Sequence, residues 1–145
     1  AYPGSRKFPH FNSEYLKNIL ADKNIEYQHL PLLGGRRTPS INSTNIAWKN
    51  SSFRGYADYM ETEDFRKGIQ QMEKLAEERP TAMMCSEAVW WKCHRSLVAD
   101  YMKASGWKVI HIIDVNSTQE DPYTSAAKII DGKLDYSGGQ LDFLK

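Results

Sequence analysis

The chain has 145 residues, of which 41% are hydrophobic, 12% aromatic and 26% charged, a composition typical of a globular domain and not of a disordered or fibrous protein. Its 19 basic and 18 acidic residues nearly balance, which argues against binding of a polyanion through bulk charge. Two cysteines are too few for a disulfide framework, and no apolar run has the length of a membrane span. We therefore expect residues 1–145 to form one cytoplasmic domain that is not integral to a membrane.

The first third of the chain is mostly loop, with one helix and one short strand. Residues 1–11 contain two prolines and a glycine, and Asn12 or Ser13 then has the character of a helix N-cap. This helix is predicted to end near Asn24, and residues 25–30 form a strand candidate before Pro31. The polar connection over residues 31–54 is long for a compact domain, which favours a functional loop.

The middle of the chain has the clearest helical pattern. A short helix is predicted over residues 55–61, and Thr62 is placed to cap the next one. Phe65, Ile69, Met72 and Ala76 follow at spacings that put them on one helix face. This helix is predicted to end before Pro80, because the residue ahead of a proline disfavours the helical region.

The second half of the chain predicts a βαβ unit followed by a hairpin. Residues 81–85 form a short apolar run typical of a buried strand, residues 93–105 are helical with Gly106 as the cap, and residues 107–115 are rich in β-branched side chains. Two strands joined by a helix should be parallel. Residues 127–136 predict a hairpin around the turn Asp131-Gly132. The expected fold is a three-layer α/β sandwich whose mostly parallel sheet contains residues 26–30, 81–85 and 108–114, with the hairpin at its edge.

The residues best suited to chemistry lie between positions 85 and 95. In the predicted βαβ unit, Cys85 ends a buried strand, where open α/β sheets bind their ligands. Cys93, His94 and Arg95 would form the first turn of the next helix, whose free N–H groups lower thiol pKa values. We expect Cys85 or Cys93 to be a nucleophile and Glu87 or His94 to be the acid or base.

Three other interpretations of this segment stay open. Free cysteines are often small core residues. Two cysteines and a histidine could instead bind zinc with a fourth ligand such as Glu87 or His10, although their spacing differs from the usual pairs. A reversible disulfide between Cys85 and Cys93 is the third. The prediction is that no cofactor is bound, with zinc as the alternative.

Loop arginines form a second group of candidates. Arg6, Arg36 and Arg54 each lie in a predicted loop, and loops at one edge of an α/β sheet collect over the strand ends. We expect Arg6, Arg36 and then Arg54 to share a pocket with the turn that contains Arg95. Such a pocket would hold a phosphate or carboxylate through bidentate contacts, and Trp90 could stack on a flat ring. The predicted partner is an anionic small molecule or a nucleic acid.

Five strings, YPGSRKFPHFN, LPLLGGRR, WKNSSFRGYADYM, MCSEAVWWKCHRSLVADYM and PYTSAAKIIDGKLDY, cover nearly the whole chain. Together they resemble the domain of unknown function 488 family. The resemblance implies a three-layer α/β fold and an N-terminal strand, helix and strand that this chain lacks, so the N-terminal elements are expected to be missing. It implies no activity. The family pattern falls on Arg6, Pro9, Gly35, Arg36, Arg54, Cys85, Glu87, Cys93, His94 and Arg95.

Two classes of function are compatible with these residues. In the first, the protein is a thiol-dependent enzyme that acts on an anionic, ring-bearing substrate such as a nucleotide or a nucleic acid. In the second, it is a non-catalytic module that binds a nucleotide or nucleic acid with the same arginines and stacked rings. The presence of Cys, Glu and His at one turn favours the enzyme, because simple recognition does not need them.

Overall fold

A computed structural model describes residues 3–139, which contain helices and short strands in mixed order. The α-helices are α1 (Ser13–Ala21), α2 (Ser51–Tyr59), α3 (Glu63–Glu78) and α4 (Arg95–Ala104). The strands are β1 (Ile110–Asp114), β2 (Ser117–Glu120), β3 (Lys128–Ile130) and β4 (Lys133–Asp135). Single 3-10 turns occupy Pro9–Phe11, Pro31–Leu33 and Trp90–Lys92.

The helix caps show why the helices begin where they do. The Thr62 hydroxyl accepts a hydrogen bond from the Phe65 N–H, which confirms the predicted cap of α3. The Asn50 side chain accepts from the N–H groups of Ser52 and Phe53, so α2 starts four residues before the predicted position 55. Asn12 precedes α1, but its side chain caps the loop instead, accepting from the Ser5 N–H at 2.7 Å.

The hydrophobic core forms where α2, α3 and α4 meet the turn at Pro31–Leu33. Phe65, Ile69 and Met72 are buried, as their helical spacing predicts. Gly68 lies on the same side of α3, where an added Cβ would come within 2.8 Å of the Leu33 side chain. This glycine therefore allows the helix to approach the turn closely. The remaining core residues include Leu33, Tyr56, Leu97, Val98, Met102 and Tyr136.

The described strands form two separate antiparallel hairpins, β1 with β2 and β3 with β4. The second hairpin confirms the prediction for residues 127–136. Its turn residues Asp131 and Gly132 have φ values of 50° and 75°, the left-handed pair that a tight hairpin turn requires. Gly106, after α4, has a φ of 97° and confirms the predicted left-handed cap.

The mostly parallel sheet is not observed within residues 3–139, and the βαβ prediction was wrong. Residues 25–30 and 81–85 have no strand pairing, and β1 pairs with β2, the segment that directly follows it. The two strands are joined through a turn at which the Asn116 N–H donates to the Asp114 carboxylate at 2.8 Å. Pairing with an adjacent segment closes a short loop, which costs less entropy than a parallel crossover. The observed architecture is a mixed α and β fold without the predicted three layers.

None of the helices within the described residues is both long and apolar enough to cross a bilayer.

Candidate functional site

The segment before α4 is irregular, which corrects the predicted positions of the two cysteines. Cys85 lies in an unpaired segment and not at the end of a strand. Cys93 follows the 3-10 turn Trp90–Lys92 with an extended backbone, at φ −131° and ψ 150°. His94 is the N-cap of α4, so neither Cys93 nor His94 is inside the helix. The first N–H of α4, from Arg95, donates to the Cys93 sulfur at 3.4 Å.

Cys85, Cys93 and His94 form one cluster despite the intervening residues. The His94 Nδ1 atom lies 3.9 Å from the Cys85 sulfur and 3.6 Å from the Cys93 sulfur. All three atoms lie within 4.8 Å of one another. Both cysteines are free thiols, with Cys93 only 2% exposed and Cys85 partly exposed. The cluster therefore has one sulfur that a ligand can reach and one that the fold covers.

Close neighbours drive the pKa values of the two thiols in opposite directions. The Cys93 thiol, then the His94 ring and the Glu87 backbone, lower the pKa of Cys85 to about 3, against the opposing effect of burial. The neighbouring Cys85 sulfur, and then burial, raise the pKa of Cys93 above its ordinary value. The two sulfurs lie within 4.8 Å of each other. Cys85 is thus the thiolate of the pair and Cys93 the thiol.

Glu87 contributes to this arrangement through its backbone. Its backbone lowers the pKa of Cys85, and its carbonyl oxygen accepts from the Arg95 guanidinium at 2.6 Å. The Glu87 side chain is exposed, and no hydrogen bond or ion pair of its carboxylate is found among residues 3–139. The Arg95 Nε atom is buried without a partner in the same part of the chain. Arg95 therefore joins the start of α4 to the segment after Cys85.

Two neighbours hold the His94 ring in place. The ring of Tyr56 lies tilted against it, with centroids 5.0 Å apart. On another side, a Cβ added at Gly35 would come within 2.8 Å of the His94 Nδ1 atom. The Tyr56 hydroxyl donates to the Leu33 carbonyl at 2.7 Å, so α2 and the loop before Gly35 are fixed to each other. Burial raises the pKa of Tyr56 well above its ordinary value, which keeps this hydroxyl a donor.

The predicted arginines are placed differently from one another. Arg36 follows Gly35, is exposed and has a φ of 61°, so the loop brings its backbone beside the His94 ring. Arg54 donates from Nε to the Trp48 carbonyl at 2.9 Å, and its charge acts on Asp58. Arg6 is exposed, and within the described residues no hydrogen bond or ion pair of its side chain is found. Of the three loop arginines, Arg36 is thus the one whose chain neighbour, Gly35, lies beside the cluster.

Trp90 is partly buried, and its neighbour Trp91 is 52% exposed. The Trp90 ring stacks on His111 with centroids 3.9 Å apart and planes at 5°. His111 in turn bonds the buried Asp121 carboxylate at 2.7 Å. The pair of His111 and Asp121 was not predicted from the sequence. A histidine between isoleucines in a strand is nevertheless a signal for a buried polar partner.

The cluster has the composition of a site for a soft cation, since thiolate sulfur and imidazole nitrogen are the ligands that zinc prefers. Among residues 3–139 no further histidine, cysteine or carboxylate joins the group. Glu87 and His10, considered as a fourth ligand, are therefore not part of it.

Comparison with known proteins assigns the chain to a family but gives no activity. The family model described as Domain of unknown function DUF488 matches residues 1–102, which include Gly35, Arg36 and the whole cysteine and histidine cluster. The search of curated proteins and the search of solved structures found no match. Because the model covers more than half of the chain, the protein belongs to the DUF488 family of domains of unknown function.

Proposed function

We propose that the protein is a thiol-dependent enzyme in which Cys85 attacks an anionic, ring-bearing substrate such as a nucleotide or the end of a nucleic acid. The observation that carries this proposal is the setting of the Cys85 sulfur. It is partly exposed, and the Cys93 thiol and the His94 ring lie beside it. A thiolate with this access and these partners is a nucleophile, whereas a core cysteine would be covered and unbonded.

A neighbour of Cys85 supplies the proton that the leaving group of such a transfer needs. When the thiolate forms a bond to an electrophilic centre, the departing group takes the electron pair of the broken bond and needs a proton. Cys93 keeps its proton because the neighbouring Cys85 sulfur, and then burial, raise its pKa, which makes it a weak acid. His94 lies within reach of both sulfurs through Nδ1. We therefore assign protonation of the leaving group to His94.

Two cations support an anionic substrate. Arg36 is exposed beside Gly35, which contacts the His94 ring, and Arg95 bonds the segment after Cys85. Arg36 also keeps a left-handed φ of 61°, a conformation that is unfavourable for a side-chain-bearing residue and that often marks functional positions. Trp91, which is 52% exposed, offers a ring for stacking near the same turn. The proposal places the protein in the cytoplasm, where both thiols stay reduced.

The second candidate is a non-catalytic module that binds a nucleotide or nucleic acid. The exposed charge of Arg36 and the exposed ring of Trp91 favour it, because recognition needs a cation and a stacking surface but no thiol. In that case Cys85 would be dispensable for binding, which separates the two candidates experimentally.

The test is alkylation of Cys85 by iodoacetamide in the presence of a nucleotide panel, with each labelled cysteine identified by mass spectrometry. An enzyme of the proposed type should show protection of Cys85 by one nucleotide class, and incubation with that class should give a product or a covalent adduct that Cys85→Ser abolishes. Arg36→Ala should weaken the protection about tenfold or more. Arg66→Ala is the matched control, since Arg66 is exposed on α3 and bonds Glu63 and the Glu61 carbonyl at the surface. If a nucleotide protects Cys85 but no product forms, and Cys85→Ser binds that nucleotide as well as the wild type does, the non-catalytic binding module is favoured.

A further inference from the structure

The separations within the cluster of Cys85, Cys93 and His94 match those between the ligands of a tetrahedral metal ion. With Zn–S bonds of about 2.3 Å and Zn–N bonds of about 2.0–2.1 Å, tetrahedral angles place a sulfur and a nitrogen about 3.5 Å apart and two sulfurs about 3.8 Å apart. The observed nitrogen-to-sulfur distances are 3.6 and 3.9 Å, and the sulfur-to-sulfur distance is within 4.8 Å. Movements of a few tenths of an ångström up to about 1 Å would therefore bring all three atoms onto one ion.

The orientation of two of the three side chains, Cys93 and His94, is fixed before any ion arrives. Cys93 is held at the start of α4, where its sulfur accepts the Arg95 N–H and its carbonyl accepts the Ser96 hydroxyl at 2.9 Å. His94 directs Nδ1 toward both sulfurs, and Tyr56 and Gly35 confine its ring. Groups outside the ligand set that orient the ligands in this way commonly raise metal affinity.

The ligand set selects the type of ion and leaves one position open. Metal binding would release the Cys93 proton to solvent, and the resulting two thiolates and one imidazole favour zinc over magnesium or calcium, which prefer oxygen. Within the described residues the group has no fourth histidine, cysteine or carboxylate. Cys85 is partly exposed, so water can complete the coordination. Three protein ligands with an exchangeable fourth position are typical of reactive zinc sites, whereas structural zinc sites use four protein ligands.

We propose that Cys85, Cys93 and His94 bind one zinc ion, with a water or substrate atom in the fourth position. This inference goes beyond the proposed function, because it concerns a metal-bound form and needs no substrate. The ion would use the sulfur that the proposed enzyme uses as its nucleophile. Zinc should therefore protect Cys85 from alkylation. The alkylation and turnover measurements that test the proposed function are made on the metal-free protein.

The test is a titration of the reduced, metal-free full chain with cobalt(II), which reports its ligands by absorption, followed by zinc competition and calorimetry. The wild-type chain should bind one equivalent with the intense near-ultraviolet charge-transfer band of cobalt–thiolate bonds and the visible bands of tetrahedral geometry. Cys85→Ser, Cys93→Ser and His94→Gln should each lower the affinity about 100-fold or more, since each removes a ligand. His29→Gln is the matched control for the histidine change, because His29 is exposed and outside the cluster.

A fifth variant tests the geometry without removing a ligand. In Gly35→Ala the new methyl group would lie 2.8 Å from the His94 Nδ1 atom and push the ring away from the sulfurs. Its zinc affinity should fall about 10- to 100-fold while both thiols remain. Absence of a cobalt–thiolate band in the wild-type chain, or equal affinities in the wild-type chain and His94→Gln, would overturn the proposal.

Failure of the metal proposal and failure of the proposed function give different results. If zinc does not bind but metal-free Cys85 is alkylated rapidly and protected by a nucleotide, the metal site is wrong and the enzyme stands. If zinc binds but metal-free Cys85 reacts like an ordinary thiol and no nucleotide protects it, the enzyme is wrong and the metal site stands.

Discussion

The ring of Trp90 lies flat on the ring of His111, with centroids 3.9 Å apart and planes at 5°. His111 is on β1 and its Nε2 atom bonds the buried Asp121 at 2.7 Å, so the stack is anchored on both sides. Trp90 begins the turn that ends at Lys92, directly before Cys93. The stack therefore ties the segment that contains the cysteine cluster to the hairpin of β1 and β2, beyond the residues that match the family model.

Replacing Trp90 by alanine should destabilise the protein far more than the same change at Trp91. Trp90→Ala removes the stack and the packing around it, and we expect a loss of about 1–3 kcal/mol in the free energy of unfolding. Trp91 is 52% exposed, so Trp91→Ala should change the free energy of unfolding by no more than about 0.5 kcal/mol. Urea unfolding of both variants measures the difference, and equal losses would show that the stack contributes nothing.

Arg36 should contribute to ligand binding but lower the stability of the fold. Two substitutions at this position separate the two effects. Its φ of 61° costs a side-chain-bearing residue about 1–2 kcal/mol, a cost that glycine avoids while losing about 0.5–1 kcal/mol of backbone entropy. Arg36→Gly should thus be about 0.5–1 kcal/mol more stable than Arg36→Ala. Both should lose nucleotide protection of Cys85 equally. An alanine variant as stable as the glycine variant in urea would contradict the left-handed conformation.

Asp100 and Asp58 should make stability depend on pH with opposite signs. Burial raises the pKa of Asp100, and hydrogen bonds from Thr124 and Tyr136 offset only part of the rise. The folded state then binds this proton more tightly than the unfolded chain, so this contribution to stability falls as pH rises above about 3.9. For Asp58, partial burial is outweighed by hydrogen bonds from Ser43, Asn45 and Ser40, which lower the pKa. Its contribution is therefore present above about 3.9 and is lost as pH falls.

The corresponding measurement compares each wild-type carboxylate with its asparagine variant in urea between about pH 3.5 and 6.5. The stability difference between wild type and Asp100→Asn should decrease as pH rises. The difference between wild type and Asp58→Asn should increase over the acidic end of the range. Slopes of the same sign would contradict the assignment for one of the two carboxyls.

The sequence predicted the elements whose signals are local. Thr62 and the spacing of Phe65 and Ile69 predicted α3, because a cap and a helix face depend only on nearby residues. Asp131-Gly132 predicted the hairpin of β3 and β4 for the same reason. The parallel sheet could not be predicted in this way, since an apolar run such as residues 81–85 becomes a strand only if another strand pairs with it.

The candidate site was predicted in composition but not in geometry. The sequence grouped Cys85, Cys93 and His94 because they are close along the chain, and the structure places their ligand atoms within 4.8 Å. It also selected Glu87 for its carboxylate, whereas in the structure its backbone carbonyl accepts from Arg95. Backbone roles of this kind leave no trace in residue type. The support of Trp90 by His111 depends on a contact between segments that are distant in sequence.

The central claim is that Cys85 is a thiolate because the Cys93 thiol and the His94 ring lie beside its sulfur. The most direct measurement is the pH dependence of Cys85 alkylation in the metal-free wild-type chain and in Cys93→Ala, resolved by mass spectrometry. The wild-type rate should change less than about threefold between pH 5 and 8, because the pKa of Cys85 lies below this range. In Cys93→Ala the largest cause of the lowered pKa is gone, so the profile should shift toward the ordinary cysteine pKa of about 8.5. A wild-type rate that rises several hundred-fold over the same interval, as a Cys85 pKa of about 8.5 would require, would contradict the claim.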